Sequence, residues 1–238
     1  MKDILKIMRF DYFTAKPIAF GGMIFTILLF GSLGLFFSPM ICSYISIIAV
    51  ILVIPLQKTA DKSGFSKLYG ILPVDRKSIT RGRFLYIFLV FFSFELMELI
   101  LVAVSKTLKL YRIFPNQNSE LIQMTKDSFA NTQFTLLMVF VMFALFCLLT
   151  SYMEMMGQIH GRESDFKTIV ITIGVISVIA FAFVVLSEHN MLPLIKLPSL
   201  PESVGGMLLI GAVLDLLMLA ICLLFGEITA KKLVNREL

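Results

Sequence analysis

The chain has 238 residues, 58% of them hydrophobic and only 16% charged, and its mean hydropathy is +0.91. That apolar surplus exceeds what the core of a soluble domain of this length needs, so composition excludes an ordinary soluble enzyme and points to a polytopic, all-α membrane protein. The net charge of +5 calls for no nucleic acid, because the basic residues flank apolar runs, where they set topology in the lipid bilayer.

In chain order, the first 16 residues have helical period: Lys2, Lys6, Arg9 and Lys16 share one stripe, and Ile4, Met8, Tyr12 and Ala15 another. This segment is too charged and too short for a hydrocarbon core that needs ~20 apolar residues. It reads as an amphipathic interfacial helix over 1–16 on an anionic leaflet, with a turn at Pro17. Six transmembrane helices follow, at 18–37, 39–56, 84–104, 133–152, 168–186 and 206–225, in one transmembrane domain covering 1–238. Only Ser38 and Pro39 separate the first two, which makes a tight antiparallel hairpin in which Gly21, Gly22, Gly31 and Gly34 offer close helix approach. The connections are 57–83, 105–132, 153–167 and 187–205, and the tail is 226–238. Lys106, Lys109, Arg112, Lys126 and Lys196 fall on one side; the rest of the 21 Lys and Arg fall on the other. The positive-inside rule therefore puts both termini and the 57–83 loop in the cytoplasm, and 105–132 and 187–205 outside.

The 57–83 loop is the longest strongly charged interruption. Asp61 and Ser63 are candidate caps, and Phe65, Leu68, Tyr69 and Leu72 follow at i, i+3, i+4, i+7, one face of a short helix that Gly70 and Pro73 end. Asp75 caps a second helical start from Arg76. The apolar face is rimmed by Lys62, Lys67, Arg76 and Lys77 and cannot bury itself. Two occupants fit it: the groove of a partner protein, or the membrane interface. Burial would be worth about 1.5–3 kcal/mol per side chain before ordering costs.

Ionisable residues inside apolar runs are the second signal, since a charge at bilayer depth costs at least ~2.5–3.5 kcal/mol. Glu95 and Glu98 lie mid-span in the third helix, spaced i, i+3, and Asp215 lies mid-span in the sixth. They are candidates for a translocation path or a subunit interface; the structural alternative is hydrogen bonding to neighbouring hydroxyls such as Ser93 or Thr172. Cys42, Cys147 and Cys222 all sit in apolar runs with neither disulfide nor metal-ligand spacing. His160 and His189 lie at span ends and no HExxH run exists, which argues against an intramembrane metalloprotease and leaves no catalytic residue and no metal site expected.

The run DKSGFSKLYGILPVDRKSITRGRFL resembles the coupling-helix region of ABC-2 type exporter membrane (permease) subunits, through Lys62, Ser63, Gly64, Leu68, Leu72, Pro73, Val74, Arg76, Ile79 and Arg81. Six spans, an N-terminal elbow helix and a K-x-x-x-R-E ending at Lys232 to Glu237 extend the resemblance along the chain, although only the loop is specific. Within that group the chain is most similar to the phenol-soluble modulin and antimicrobial peptide exporter subunits of Gram-positive bacteria. The resemblance implies a bacterial plasma-membrane exporter of amphipathic peptides whose Lys62, Phe65, Leu68, Tyr69, Leu72 and Arg76 contact a separate ATPase subunit. It further implies a second membrane subunit, identical or paralogous. No G-x-x-x-x-G-K-[ST] run occurs in the chain, so ATP and Mg are expected in the partner and no cofactor here. The competing readings are an exporter of lipids or drugs, and a sensor or scaffold that recruits a cytoplasmic partner without a transport cycle.

Overall fold

In hydrocarbon a peptide group has no hydrogen-bond partner except another peptide group, and a helix satisfies all but its ends within one segment. The computed structural model describes residues 2–36, 39–47, 49, 50, 53, 76–108, 132–160, 201 and 203–234, and among them regular structure is helical throughout, with no strand. Helix α1 is Lys2–Phe36, a 3₁₀ segment covers Pro39–Ile45, α2 is Arg76–Leu108, α3 is Thr132–His160 and α4 is Val204–Val234. Three of them, α2, α3 and α4, are long and apolar enough to cross a membrane. The expected fifth span at 168–186 lies outside the described residues, as do 54–75, 109–131 and 187–200; Lys62, Phe65, Leu68, Tyr69 and Leu72 fall in the first of these stretches.

The sequence expects a turn at Pro17, whereas α1 runs through it without a break. Proline fits helical φ and removes one hydrogen bond, and the helical pattern on both sides is strong enough to carry the chain past that loss. At 1.5 Å per residue, 35 residues reach about 52 Å, well beyond a hydrocarbon core of about 30 Å. The residues that this helix buries belong to neither stripe. Ile7 is buried, whereas Tyr12 and Phe13 are exposed in an edge-on ring pair, with the Arg9 guanidinium 5.6 Å from the Phe13 ring centre.

The other helix ends also overrun the apolar windows. Residues 76–83 belong to α2, as the helical start expected from Arg76 requires, whereas 105–108 of α2, 153–160 of α3 and 226–234 of α4 are helical where the sequence expects loops and a tail. Hydropathy marks the edge of the membrane, not the end of a helix, and Met, Glu, Gln, Ala and Lys in the overrunning turns are good helix formers.

Helix α2 is the hub. It packs against α1, the 3₁₀ segment, α3 and α4, and α3 also packs along α4. The buried side chains follow the three-four spacing of intertwined helices. On α2 they are Phe84, Phe88, Phe91, Glu95, Glu98, Val102 and Ser105. On α3 the line is Leu136, Phe140, Phe143, Cys147, Thr150, Glu154 and Gly157. The expected hairpin glycine matters at Gly34, where an added Cβ would collide with Cys42 Sγ and where the carbonyl accepts from Ser105 Oγ at 3.0 Å. Gly21 has open space, so it does no such work.

Candidate functional site

Because α2 places every third or fourth residue inward, Glu95 and Glu98 enter the same interior that Phe88 and Phe91 fill below them. Both are almost fully buried, at 1% and 0% exposure. Ser46, just past the 3₁₀ segment and itself buried, donates its hydroxyl to Glu98 Oε1 at 2.8 Å. Cys42 lies beside the same carboxylate. Asp215, half-buried on α4, is the neighbouring carboxyl that Glu95 senses most strongly, with Glu98 next. The structure therefore brings together the three carboxyl groups singled out in the sequence, with Asp215 lying 120 residues beyond Glu95.

The expected hydroxyl partner is different. Ser93 faces outward and bonds the Leu89 carbonyl of its own helix at 2.7 Å, and Thr172 lies outside the described residues. Nothing in sequence spacing pairs Ser46 with Glu98; that contact is a product of tertiary packing. Among the described residues, no Lys, Arg or His pairs with Glu95, Glu98 or Asp215. The nearest cation further along α2, Lys106, sits eight residues past Glu98, about 12 Å along the axis. Buried Glu95 and Glu98, with half-buried Asp215, thus form a patch of carboxyl groups without a cation among the described residues, whose oxygens can accept from an ammonium or guanidinium group. No grouping of three or more His, Cys, Asp or Glu among the described residues is placed to hold a metal.

A second polar group lies nearer the 57–83 loop and was missed by the sequence reading, which placed its key member in a loop. Cys147 and Cys222 bring their sulfurs to 3.8 Å, with Ser151 Oγ 3.3 Å from Cys222. Beyond them Arg83 Nη1 donates to Glu154 Oε1 at 3.1 Å, and Gln158, one turn along α3, donates to the same oxygen. Glu154 is 3% exposed and Arg83 18%. The signal that would have found Glu154 is its place in the three-four line Phe143, Cys147, Thr150, Glu154, which continues past the end of the apolar window.

Residues 81–84 form the busiest junction. Arg81 pairs with Glu227 of α4 at the surface. An added Cβ at Gly82 would lie 3.2–3.3 Å from Ile7 of α1, a tight contact that Ile7 would have to yield to by a few tenths of an ångström. Arg83 reaches Glu154 on α3, and fully buried Phe84 lies against Gly226 of α4. Arg76, the one residue expected at the ATPase contact that lies within the described range, opens α2. No protein-family model matches the chain, and neither a curated protein nor a solved structure matches it.

Proposed function

We propose that this chain is the membrane subunit of an ATP-driven exporter of the ABC-2 class, six-spanning with both termini in the cytoplasm of a bacterial cell. A separate ATPase subunit, which holds ATP and Mg, grips the loop through Lys62, Phe65, Leu68, Tyr69, Leu72 and Arg76. A second membrane subunit, identical or paralogous, completes the path, and the cargo is an amphipathic peptide. One observation carries this reading. Helix α2 starts at Arg76, directly after the loop, runs unbroken to Leu108, carries Glu95 and Glu98, and touches each of the other described elements. A helix is stiff along its axis, so a push on the loop is delivered about 29 Å away at Glu95, nineteen residues on. There the carboxyl groups have no cation among the described residues, which suits the basic groups of an amphipathic peptide.

The test is affinity purification of the full-length chain from native membranes in mild detergent, followed by reconstitution in liposomes. An ATP-binding cassette protein co-purifies, and a cationic amphipathic peptide stimulates its hydrolysis. Replacing Phe65→Asp and Leu68→Asp together abolishes both. If the doubly substituted chain still holds the ATPase and exports normally, the docking reading is wrong. Binding without peptide stimulation identifies a scaffold instead, and stimulation by a lipid or drug but not by peptide reassigns the cargo.

A further inference from the structure

We propose that the buried Arg83–Glu154 ion pair is a positioning element that makes α3 follow α2 when the loop moves. The inference deepens the exporter reading and rests on it for the direction of the motion. The contacts that leave the 81–84 junction sideways from α2 differ in what they can transmit: Phe84 against Gly226, like Gly82 against Ile7, is apolar, and the other two are ion pairs. Gly82 against Ile7 is an apolar contact that can slide. The Arg81–Glu227 pair is about two-fifths exposed on both sides, and exposed pairs are screened and loosely held. Arg83–Glu154 is different: the carboxylate is 3% exposed and the guanidinium 18%. Separating such a pair strands a charge away from water, so the two helix ends stay together through a displacement that the other contacts would absorb.

The chemistry of the pair fits the role. A guanidinium presents a planar fork that fixes orientation as well as distance, which an ammonium does not. Gln158, one turn on from Glu154, donates to the same carboxylate oxygen and holds it in place. Helix α3 then carries the motion inward along its buried line to Thr150 and Cys147, which belongs to the same core as Phe91 and Phe94 that flank Glu95 on α2. The carboxylate cluster is thereby approached from two helices that move together.

The experiment measures Glu154→Gln, Arg83→Lys and the charge swap of Arg83→Glu with Glu154→Arg in the full chain, each by two readouts. The first is the distance between spin labels at Lys77 and His160, both exposed, which needs no ATPase. The second is peptide-stimulated ATP hydrolysis by the reconstituted complex relative to its basal rate. Glu154→Gln is expected to broaden the label distance and to cut peptide stimulation by at least ~5-fold, the lower end of ordinary coupling between sites, while the ATPase still binds. Arg83→Lys is expected to fall between wild type and Glu154→Gln, and the swap to restore both readouts. A narrow, unchanged distance in Glu154→Gln, or a swap that restores neither readout, overturns the proposal. Failure of the wild-type chain to bind any ATPase overturns the exporter reading instead, with the label distance still deciding whether the pair holds α3 to α2.

Discussion

The two polar regions inside this bundle treat charge in opposite ways. Toward the loop, every buried carboxylate that the structure describes has a cation: Glu154 has Arg83, with Gln158 in support. Midway along the helices, Glu95, Glu98 and Asp215 cluster with a serine and each other and no cation among the described residues. Balanced charge, once buried, holds elements in register. Burying carboxyl groups with no cation beside them costs stability, and Glu95 and Glu98 are buried in that way among the described residues. The contrast is between a joint held by an ion pair and a cluster of carboxyl groups without one.

That contrast is broken most directly at Glu154. Replacing Glu154→Leu takes the buried carboxylate away from the part-buried Arg83 guanidinium and is expected to destabilise the chain by about 3 kcal/mol, the lower end for breaking a buried pair. Combining it with Arg83→Leu removes the stranded charge and recovers most of the loss, because apolar side chains of similar size fill the space. Thermal unfolding in detergent reads both. Equal loss in the single and double variants would mean that packing, not charge balance, holds these ends. A smaller loss is expected from Ser46→Ala, which deprives buried Glu98 of its hydroxyl donor at a cost of about 1–3 kcal/mol. Threonine at the same position keeps the donor and recovers stability in the same assay.

The mid-bundle carboxylates behave differently. Glu95→Gln with Asp215→Asn removes two facing acids that no cation offsets, and an amide pair hydrogen-bonds itself, so the unfolding midpoint is expected to stay level or rise. Glu98→Gln keeps an oxygen for Ser46 to bond. Peptide export, by contrast, is expected to fall by at least ~5-fold in the Glu95→Gln/Glu98→Gln variant, as a binding group shared with the cargo would require. A lower midpoint with intact export would reverse the assignment and make the cluster a packing device.

Much of this was legible in the sequence, for identifiable reasons. Apolar runs locate the cores of α2, α3 and α4, since nothing but helix satisfies a backbone in hydrocarbon. Glu95, Glu98 and Asp215 stand out because they interrupt those runs, and residues 76–83 are helical as expected, while the proposed cap at Asp75 lies outside the described residues. Pairings were not legible. Ser46 with Glu98 and Arg83 with Glu154 join residues 52 and 71 apart, and no local period encodes which hydroxyl or which arginine arrives. The helix overruns were lost for a different reason. Hydropathy stops at the membrane edge, whereas the three-four line through Cys147, Thr150 and Glu154 does not. Pro17 shows the opposite error, a strong local breaker overridden by the helical pattern on either side of it.

The smallest expected effect sharpens the comparison from the other side. Arg81 and Arg83 sit two residues apart on one helix end and both meet a glutamate, so sequence alone gives no reason to rank them. Exposure does: Arg81 and Glu227 keep about two-fifths of their side chains in solvent, where water and salt already stabilise each charge. The Arg81 guanidinium draws Glu227 into a contact, but the contact replaces hydration and adds little to it. Arg81→Ala and Glu227→Ala are therefore expected to leave the unfolding midpoint within experimental scatter, singly and together, at both low and high salt. The spin-label distance between Lys77 and His160 is expected to stay narrow in both. Should Arg81→Ala match Glu154→Gln in either measurement, burial would not be what distinguishes the two pairs, and the division of this molecule into a balanced end and an unbalanced middle would lose its physical basis.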